Sequence, residues 1–340
     1  MRKARWLADW RHSDHKPVFY HCISRVVDRR FVLGAVEKEK FRALMRIYEQ
    51  FSGCRVTAYC LMDNHFHILL EVPPMAEGGL SDEDLLKRLS AIYGPAFVAG
   101  VAAELADARK KVAQGLADES VLVNRIHERF TYRMHDLGEF MKGLLQRYTQ
   151  WHNRRHSRSG RLWEDRFKSV IVEDGVAART IAAYIDLNPV RAGIVREPAD
   201  YRWSSYGEAL GAATKGNRQT ARAGLVRAWG AHLGLEADAK PWAGEVSRAY
   251  RNMLMPDSPE KSHEREHPEN PAPATMLRMR IRYFTDGAVI GGRAFVDEAF
   301  VRSRPRFGPK RKSGARKMRG TASEAANLLW SFRDLRKQIT

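Results

Sequence analysis

Asp63-Asn64-His65-Phe66-His67-Ile68-Leu69-Leu70-Glu71 is the stretch on which the reading of this chain turns. Phe66, Ile68, Leu70 and Val72 alternate with the two histidines, the period-two pattern of a half-buried strand. Successive strand side chains point to opposite faces, so His65 and His67 share one face and the apolar set takes the other. Two imidazoles about 7 Å apart along a strand can converge on one divalent ion, imidazole being the commonest metal ligand. The plainer alternative is a pair of polar residues on the solvated side of the strand.

Working outward, Asp63-Asn64 carries turn chemistry and Arg55 to Met62 before it reads as another strand, so the two strands form an antiparallel hairpin. Pro17 to Val26, rich in β-branched and aromatic residues, reads as a first strand. Phe41, Leu44, Met45, Tyr48 and Phe51 recur at helical spacing and predict a helix over 36–51, closed by Ser52-Gly53. Pro73-Pro74 stops the histidine strand. The stretch 75–133 is charged and helical in pattern, broken at Gly78-Gly79 and Gly94-Pro95, and reads as an inserted helical region. From Asp136, the stripe Leu137, Phe140, Met141, Leu144, Leu145, Tyr148 and Trp151 predicts a long helix. Val170 to Glu173 is a fourth strand, and Asp174 is placed to cap a helix from about Gly175 to Leu187 that Pro189 ends. This order is the βαββαβ pattern of an α+β, ferredoxin-like domain, an antiparallel sheet with helices on one face. The insertion precedes its second helix, and one helix is added after its last strand. In this arrangement the first and third strands are central, which puts the histidine strand inside the sheet.

Composition bears on the partner. Among 340 residues, 58 are Lys or Arg and 40 are Asp or Glu, a formal net charge of +18. A surplus of that size suits a polyanion, because cations that neutralise phosphates release counterions and dominate affinity for nucleic acid. The longest mostly apolar run, Ala96 to Ala103, is far shorter than the ~20 residues a bilayer requires. Met1 to Lys16 is a basic arm without a signal-peptide core, so the expected location is the cytoplasm, at the nucleoid. Cys22, Cys54 and Cys60 form no Cys-x-x-Cys pair and read as reduced, buried thiols.

Two further stretches carry chemistry. Asn153 to Arg161 is strongly basic and runs into Leu162 to Ser169, so that Arg154, Arg155, Arg158, Arg161, Arg166 and Lys168 interleave with Trp163 and Phe167. That mixture suits single-stranded nucleic acid, whose bases stack on aromatic rings while guanidinium groups hold phosphates. A solvated basic loop with Trp163 and Phe167 packed inward is the alternative. Tyr184 and Asn188 stand four apart, on one helix face. A tyrosine oxygen can act as a covalent nucleophile and an amide oxygen can complete a site with two imidazoles, although Tyr184 with Ile181 and Ile185 also fits a core stripe.

Asp63-Asn64-His65-Phe66-His67, Gly160 to Lys168, Tyr184-Ile-Asp-Leu-Asn-Pro-Val-Arg-Ala-Gly193 and Tyr201-Arg-Trp-Ser-Ser-Tyr206 occur in that order. Together they resemble the single-tyrosine HUH transposases of the IS200-like superfamily that are associated with bacterial repetitive extragenic palindromes. The resemblance spans about Pro17 to Tyr206. It implies an enzyme that cleaves and rejoins single-stranded DNA near palindromic hairpins through a covalent 5′-phosphotyrosine. By the same resemblance Tyr184 is the nucleophile, His65, His67 and Asn188 hold Mg²⁺ or Mn²⁺, and Arg191 joins the basic residues above as a DNA contact. Two nitrogen ligands make manganese easier to accept, because magnesium prefers an oxygen shell. Two other readings stay open: a noncatalytic palindrome-binding DNA or RNA regulator derived from such an enzyme, and a water-using metal phosphodiesterase. The oligomeric state, monomer or dimer, is left open.

The catalytic domain is thus expected over 17–210, with its insertion at 75–133. A helical region over 219–255 follows, then a proline-rich linker over 256–274 and a basic C-terminal module over 275–340. Within that module 282–295 reads as a turn and short strand, followed by a helix through Phe300. Arg304 to Arg319 holds eight Lys or Arg and no acid, and reads as a flexible cationic arm.

Overall fold

The histidine strand is β3 (His65–Val72), flanked by β2 (Arg55–Leu61) and β1 (Val18–Arg25), both antiparallel to it. On the other side of β1 lies β4 (Lys168–Val172), also antiparallel. The resulting order, β2-β3-β1-β4, has the first and third strands inside, as the βαββαβ pattern requires. These observations come from a computed structural model. It describes residues 6–8, 16–211, 214–230, 242, 244–255, 284–285, 288–307, 309, 312, 314–317 and 329–332.

One face of the sheet is covered by α1 (Ala35–Ser52) and the long helix that begins after Asp136. Their apolar stripes, Phe41, Leu44 and Met45 with Phe140, Met141, Leu144 and Tyr148, share a core with Tyr20, Cys22, Phe66, Ile68 and Leu70. α1 stops at Gly53, whose φ of 73° is left-handed and where a side chain would collide with Arg88 and His135. The inserted region is α2 (Asp82–Ser90), α3 (Pro95–Ala113) and α4 (Glu119–Thr131). It has a small core of its own, in which Leu85, Leu89, Val101, Leu105 and Phe130 pack with Phe51 of α1. The long helix after it is α5 (Leu137–Arg155), started by Asp136, whose carboxylate accepts from the Glu139 amide at 2.8 Å.

The opposite face is covered by α6 (Val176–Asp186), α7 (Asn188–Arg191), α8 (Ser205–Leu210), α9 (Lys215–Gly230) and α10 (Glu245–Leu254). Ile181, Ala182 and Ile185 of α6 pack with Leu225 and Tyr250 over Phe19, Leu69, Ala58 and Val170. Asp174 is not the cap of α6: Gly175, at a φ of 74°, takes that position and no side chain bonds there. The Trp-Ser-Ser-Tyr stretch closes the outer edge of β2. Trp203 accepts from the Leu61 amide at 2.9 Å, and the Ser205 hydroxyl accepts from the Tyr59 amide at 2.6 Å. An edge strand that would otherwise template aggregation is thereby satisfied.

Described residues of the tail join the same sheet. β5 (Val289–Gly291) pairs in parallel with β4, and β7 (Trp330–Phe332) and β6 (Arg316–Lys317) continue the sheet beyond it. Between β5 and β6 lies α11 (Arg293–Arg302), the helix expected through Phe300. The cationic arm expected over 304–319 is, in its described residues, built into the fold. Arg304–Arg306 forms a 3₁₀ turn, Arg316 and Lys317 pair with β7, and Phe307 packs with Phe300, Phe332 and Trp6. The aromatic rings supply an apolar anchor that a count of charges does not register. The linker over 256–274 lies outside the described residues, as does most of the N-terminal arm. Among the described residues no helix is long and apolar enough to cross a membrane.

Candidate active site

Register decides which side chains meet on the face below α6. β1 places Arg25 opposite His65 and Ile23 opposite His67, and β4 places Lys168 opposite Ile23. Directly opposed strand residues lie on the same face, so Phe19, His21, Ile23 and Arg25 line up beside Leu69, His67 and His65. α6 covers the inner end of this row. Burial accordingly rises from the half-buried His65 to His67 and then to His21, which is 0% exposed.

The three histidines are linked. His21 Nε2 and His67 Nδ1 are 3.0 Å apart, and His21 Nδ1 donates to the Phe284 carbonyl at 2.8 Å. The rings of His65 and His67 have centroids 5.2 Å apart, and His65 Nδ1 lies 2.7 Å from the Asn64 amide oxygen. Burial pushes the pKa of His21 down to about 4, with Arg191 adding repulsion. Burial also pushes His67 well below the ordinary imidazole value, reinforced by His21, His65 and Arg191. Both rings are neutral at physiological pH, the form in which imidazole ligates a metal.

Tyr184 comes down onto this row from α6. Its ring centroid is 6.3 Å from that of His67 and 6.4 Å from that of His21. The residue is 2% exposed, closed in by Phe284 edge-on at 4.8 Å and by the Arg191 guanidinium 3.8 Å from the ring centroid. Asn188 keeps the one-turn relationship to Tyr184 despite the proline after it. Leu187, at φ −85° and ψ −1°, carries helical backbone from α6 into α7, and the Asn188 amide nitrogen donates to the carbonyls of Ile185 (3.1 Å) and Tyr184 (3.4 Å). With its nitrogen committed to the helix, the Asn188 oxygen is the end turned away from that backbone.

Among the described residues no three His, Cys, Asp or Glu side chains cluster so as to hold a metal ion. The candidate set contains only two such residues, and its third donor is an amide oxygen. A donor set of two imidazoles and one amide oxygen would suit manganese and similar first-row ions better than magnesium.

The basic loop after α5 lies along the same edge of the sheet. Val27 donates to the Leu162 carbonyl at 2.9 Å and Glu164 to the Arg25 carbonyl at 2.8 Å, one strand from His65. Arg154, Arg155, Arg161, Arg166 and Lys168 are exposed and Arg158 is half-buried. Trp163 takes the inward alternative. Its ring packs against Phe41, Phe66 and Tyr148, and its indole N–H donates to the Thr149 hydroxyl at 3.0 Å, so it anchors the loop to the core. It is not a free stacking platform. Arg191 sits over Tyr184 and donates to the Tyr184 carbonyl at 2.8 Å.

Reading the residues in order missed His21, Arg25 and the turn before α1. His21 could have been flagged as the one polar side chain between Phe19 and Ile23 on a strand face. In that turn Phe31 is 79% exposed and follows the exposed Arg29 and Arg30. The turn is tied to the histidine loop, since Asn64 donates to the Arg29 carbonyl at 3.0 Å and Leu33 donates to the Asp63 carbonyl at 2.9 Å.

Residues 15–78 match the family model described as transposase IS200 like. No curated protein matches this chain. Among solved structures, the REP-associated tyrosine transposase bound to a REP hairpin aligns with 62% of this chain and 86% of its own, at 12% identity and a TM-score of 0.37.

Proposed function

We propose that this chain, which carries an IS200-like transposase match over residues 15–78, cleaves and rejoins single-stranded DNA beside a hairpin, with Tyr184 as nucleophile. The observation that carries this reading is the meeting of Tyr184, on a helix, with the His65-His67 face of a central strand. The Tyr184 and His67 ring centroids are 6.3 Å apart.

In the cleavage step the Tyr184 oxygen forms a bond to phosphorus as the bond from phosphorus to the 3′ oxygen breaks. The phenol loses its proton and the 3′ oxygen gains one. The product is a 5′-phosphotyrosine and a free 3′-hydroxyl, and the reverse step onto another 3′ end rejoins the strand. A free phenol titrates near pH 10, so charge on the attacking oxygen has to be stabilised. Arg191, whose guanidinium lies 3.8 Å from the ring centroid, provides a fixed cation beside the phenol. When bound by the His65 and His67 nitrogens and the Asn188 oxygen, a divalent ion supplies neutralisation and orientation of the scissile phosphate. Arg25, Lys168 and the 154–166 loop line the same edge and hold the flanking phosphates, and the exposed Phe31 offers a base a stacking surface. The substrate is single-stranded or hairpin DNA.

One observation favours the noncatalytic regulator as the second reading: Tyr184 is 2% exposed, so a phosphodiester reaches it only by displacing part of its cover. End-labelled single-stranded hairpins from the flanks of the gene, incubated with Mn²⁺ or EDTA and run on denaturing protein gels, separate the two. Label is expected to shift with the wild type and Mn²⁺ alone, and not with Tyr184→Phe. Tight binding without any cleavage supports the regulator, and equal cutting by both proteins without a shifted band transfers the case to a water-using phosphodiesterase.

A further inference from the structure

We propose that His21 and Asn64 are positioning residues of the metal centre, each accepting the Nδ1–H hydrogen bond of one ligand histidine so that its Nε2 lone pair is turned to the ion. The inference rests on the metal-dependent reading above.

For His67 the argument starts at the backbone. The Phe284 carbonyl can only accept, so His21, 2.8 Å away, carries its proton on Nδ1. An uncharged ring protonated at Nδ1 is an acceptor at Nε2, and the atom 3.0 Å from that Nε2 is His67 Nδ1. His67 therefore supplies the proton from Nδ1, and its own lone pair is on Nε2. The two rings lie 25° from coplanar with centroids 5.1 Å apart, so they meet edge to edge, as an in-plane N–H···N bond requires.

For His65 a different element gives the same result. The Asn64 side-chain nitrogen donates to the Arg29 carbonyl at 3.0 Å, which settles which end of the amide is which. Its oxygen then accepts from His65 Nδ1 at 2.7 Å, so that in the uncharged ring the His65 lone pair is on Nε2. A neighbouring strand and a turn thus impose one tautomer on both candidate ligands. Holding the second ring nitrogen in this way fixes a ligand's tautomer and orientation, and its loss typically weakens metal affinity about 10- to 100-fold. A histidine pair serving only to pack the sheet would not need matching tautomers.

The first test needs no variant. Long-range ¹H–¹⁵N spectra of the metal-free wild type are expected to show His65, His67 and His21 all protonated at Nδ1 and bare at Nε2. An Nε2–H tautomer at His65 or His67 overturns the proposal. The second test titrates Mn²⁺ and follows the free ion by electron paramagnetic resonance. His21→Leu and Asn64→Leu are expected to weaken binding about 10- to 100-fold. His21→Gln, whose amide offers a donor to the Phe284 carbonyl and an acceptor to His67, is expected to stay close to the wild type. His65→Ala separates the two failures. If it binds Mn²⁺ like the wild type, the metal reading itself is lost and the proposal with it. If it loses Mn²⁺ while the His21→Leu and Asn64→Leu proteins keep theirs, only the positioning role is overturned.

Discussion

The Arg191 guanidinium lies 3.8 Å from the centre of the Tyr184 ring and donates to the Tyr184 backbone carbonyl at 2.8 Å, so the cation and the phenol are held as one unit. Burial lowers the Arg191 pKa from its ordinary value, yet a guanidinium stays charged under any physiological condition. In the proposed reaction such a fixed cation beside the phenol would stabilise the negative charge that develops on the Tyr184 oxygen. Arg191→Gln is expected to slow formation of the phosphotyrosine adduct about 100- to 1,000-fold. Hairpin affinity, read by gel shift, should fall far less, and equal losses in both would mark Arg191 as a simple phosphate contact.

Phe31 projects into solvent beside the turn that carries His65. A base stacked on an aromatic ring contributes about 1–3 kcal/mol. Phe31→Ala should therefore weaken binding of a hairpin with a single-stranded flank by roughly that amount, measured by fluorescence anisotropy. The urea midpoint should hardly move, because so exposed a ring contributes little to folding. Unchanged affinity for the flanked hairpin would remove Phe31 from the DNA surface.

Glu71 follows the histidines on the same strand face but is wholly buried, and it accepts from Arg227 Nε at 3.0 Å and Nη2 at 2.8 Å. This pair ties α9 to β3. Removing one partner leaves a buried charge unpaired, so Glu71→Ala should cost about 3–5 kcal/mol in urea unfolding. Glu71→Leu combined with Arg227→Leu should recover most of that loss. A double variant no more stable than Glu71→Ala would mean that the pair is not the source of the cost.

His135 joins the inserted helices to the sheet: its Nδ1 donates to the Pro73 carbonyl at 3.0 Å, and its Nε2 faces an Arg88 guanidinium nitrogen at 3.3 Å. Burial, more than the nearby Arg88 and Arg55, lowers its pKa from the ordinary 6.5, while the Pro73 bond works the other way. A base with a depressed folded pKa gives stability that is present above pH 6.5 and is lost as the pH falls below it, because the unfolded chain takes up the proton first. Amide exchange in α2 to α4 should accelerate between pH 7 and pH 5, after correction for intrinsic rates. His135→Gln should flatten that change, and a variant with the same pH dependence would rule His135 out as its source.

Much of this protein was legible along the chain because the properties concerned are local. Alternation within one strand put His65 and His67 on a common face, and helical spacing put Asn188 one turn from Tyr184. The order of elements sufficed for the central place of β3. Charge counting over 304–319 does not register the docking of its described residues, because Phe307 packs against Trp6 and Phe332, which are distant along the chain. Trp163 was ambiguous for the same reason: only the positions of Phe41 and Phe66 decide whether its ring faces inward. His21 bonds a histidine 46 residues away and a carbonyl 263 residues away, and Arg191 covers a ring seven residues back only because α7 continues the turn. The sequence by itself determined the elements and the chemistry each face carries, since periodicity and side-chain type are properties of a single segment. Only the tertiary structure decided which histidine supports which, and what encloses Tyr184. Strand register and helix docking join segments whose separation along the chain carries no trace of the distance between them in space.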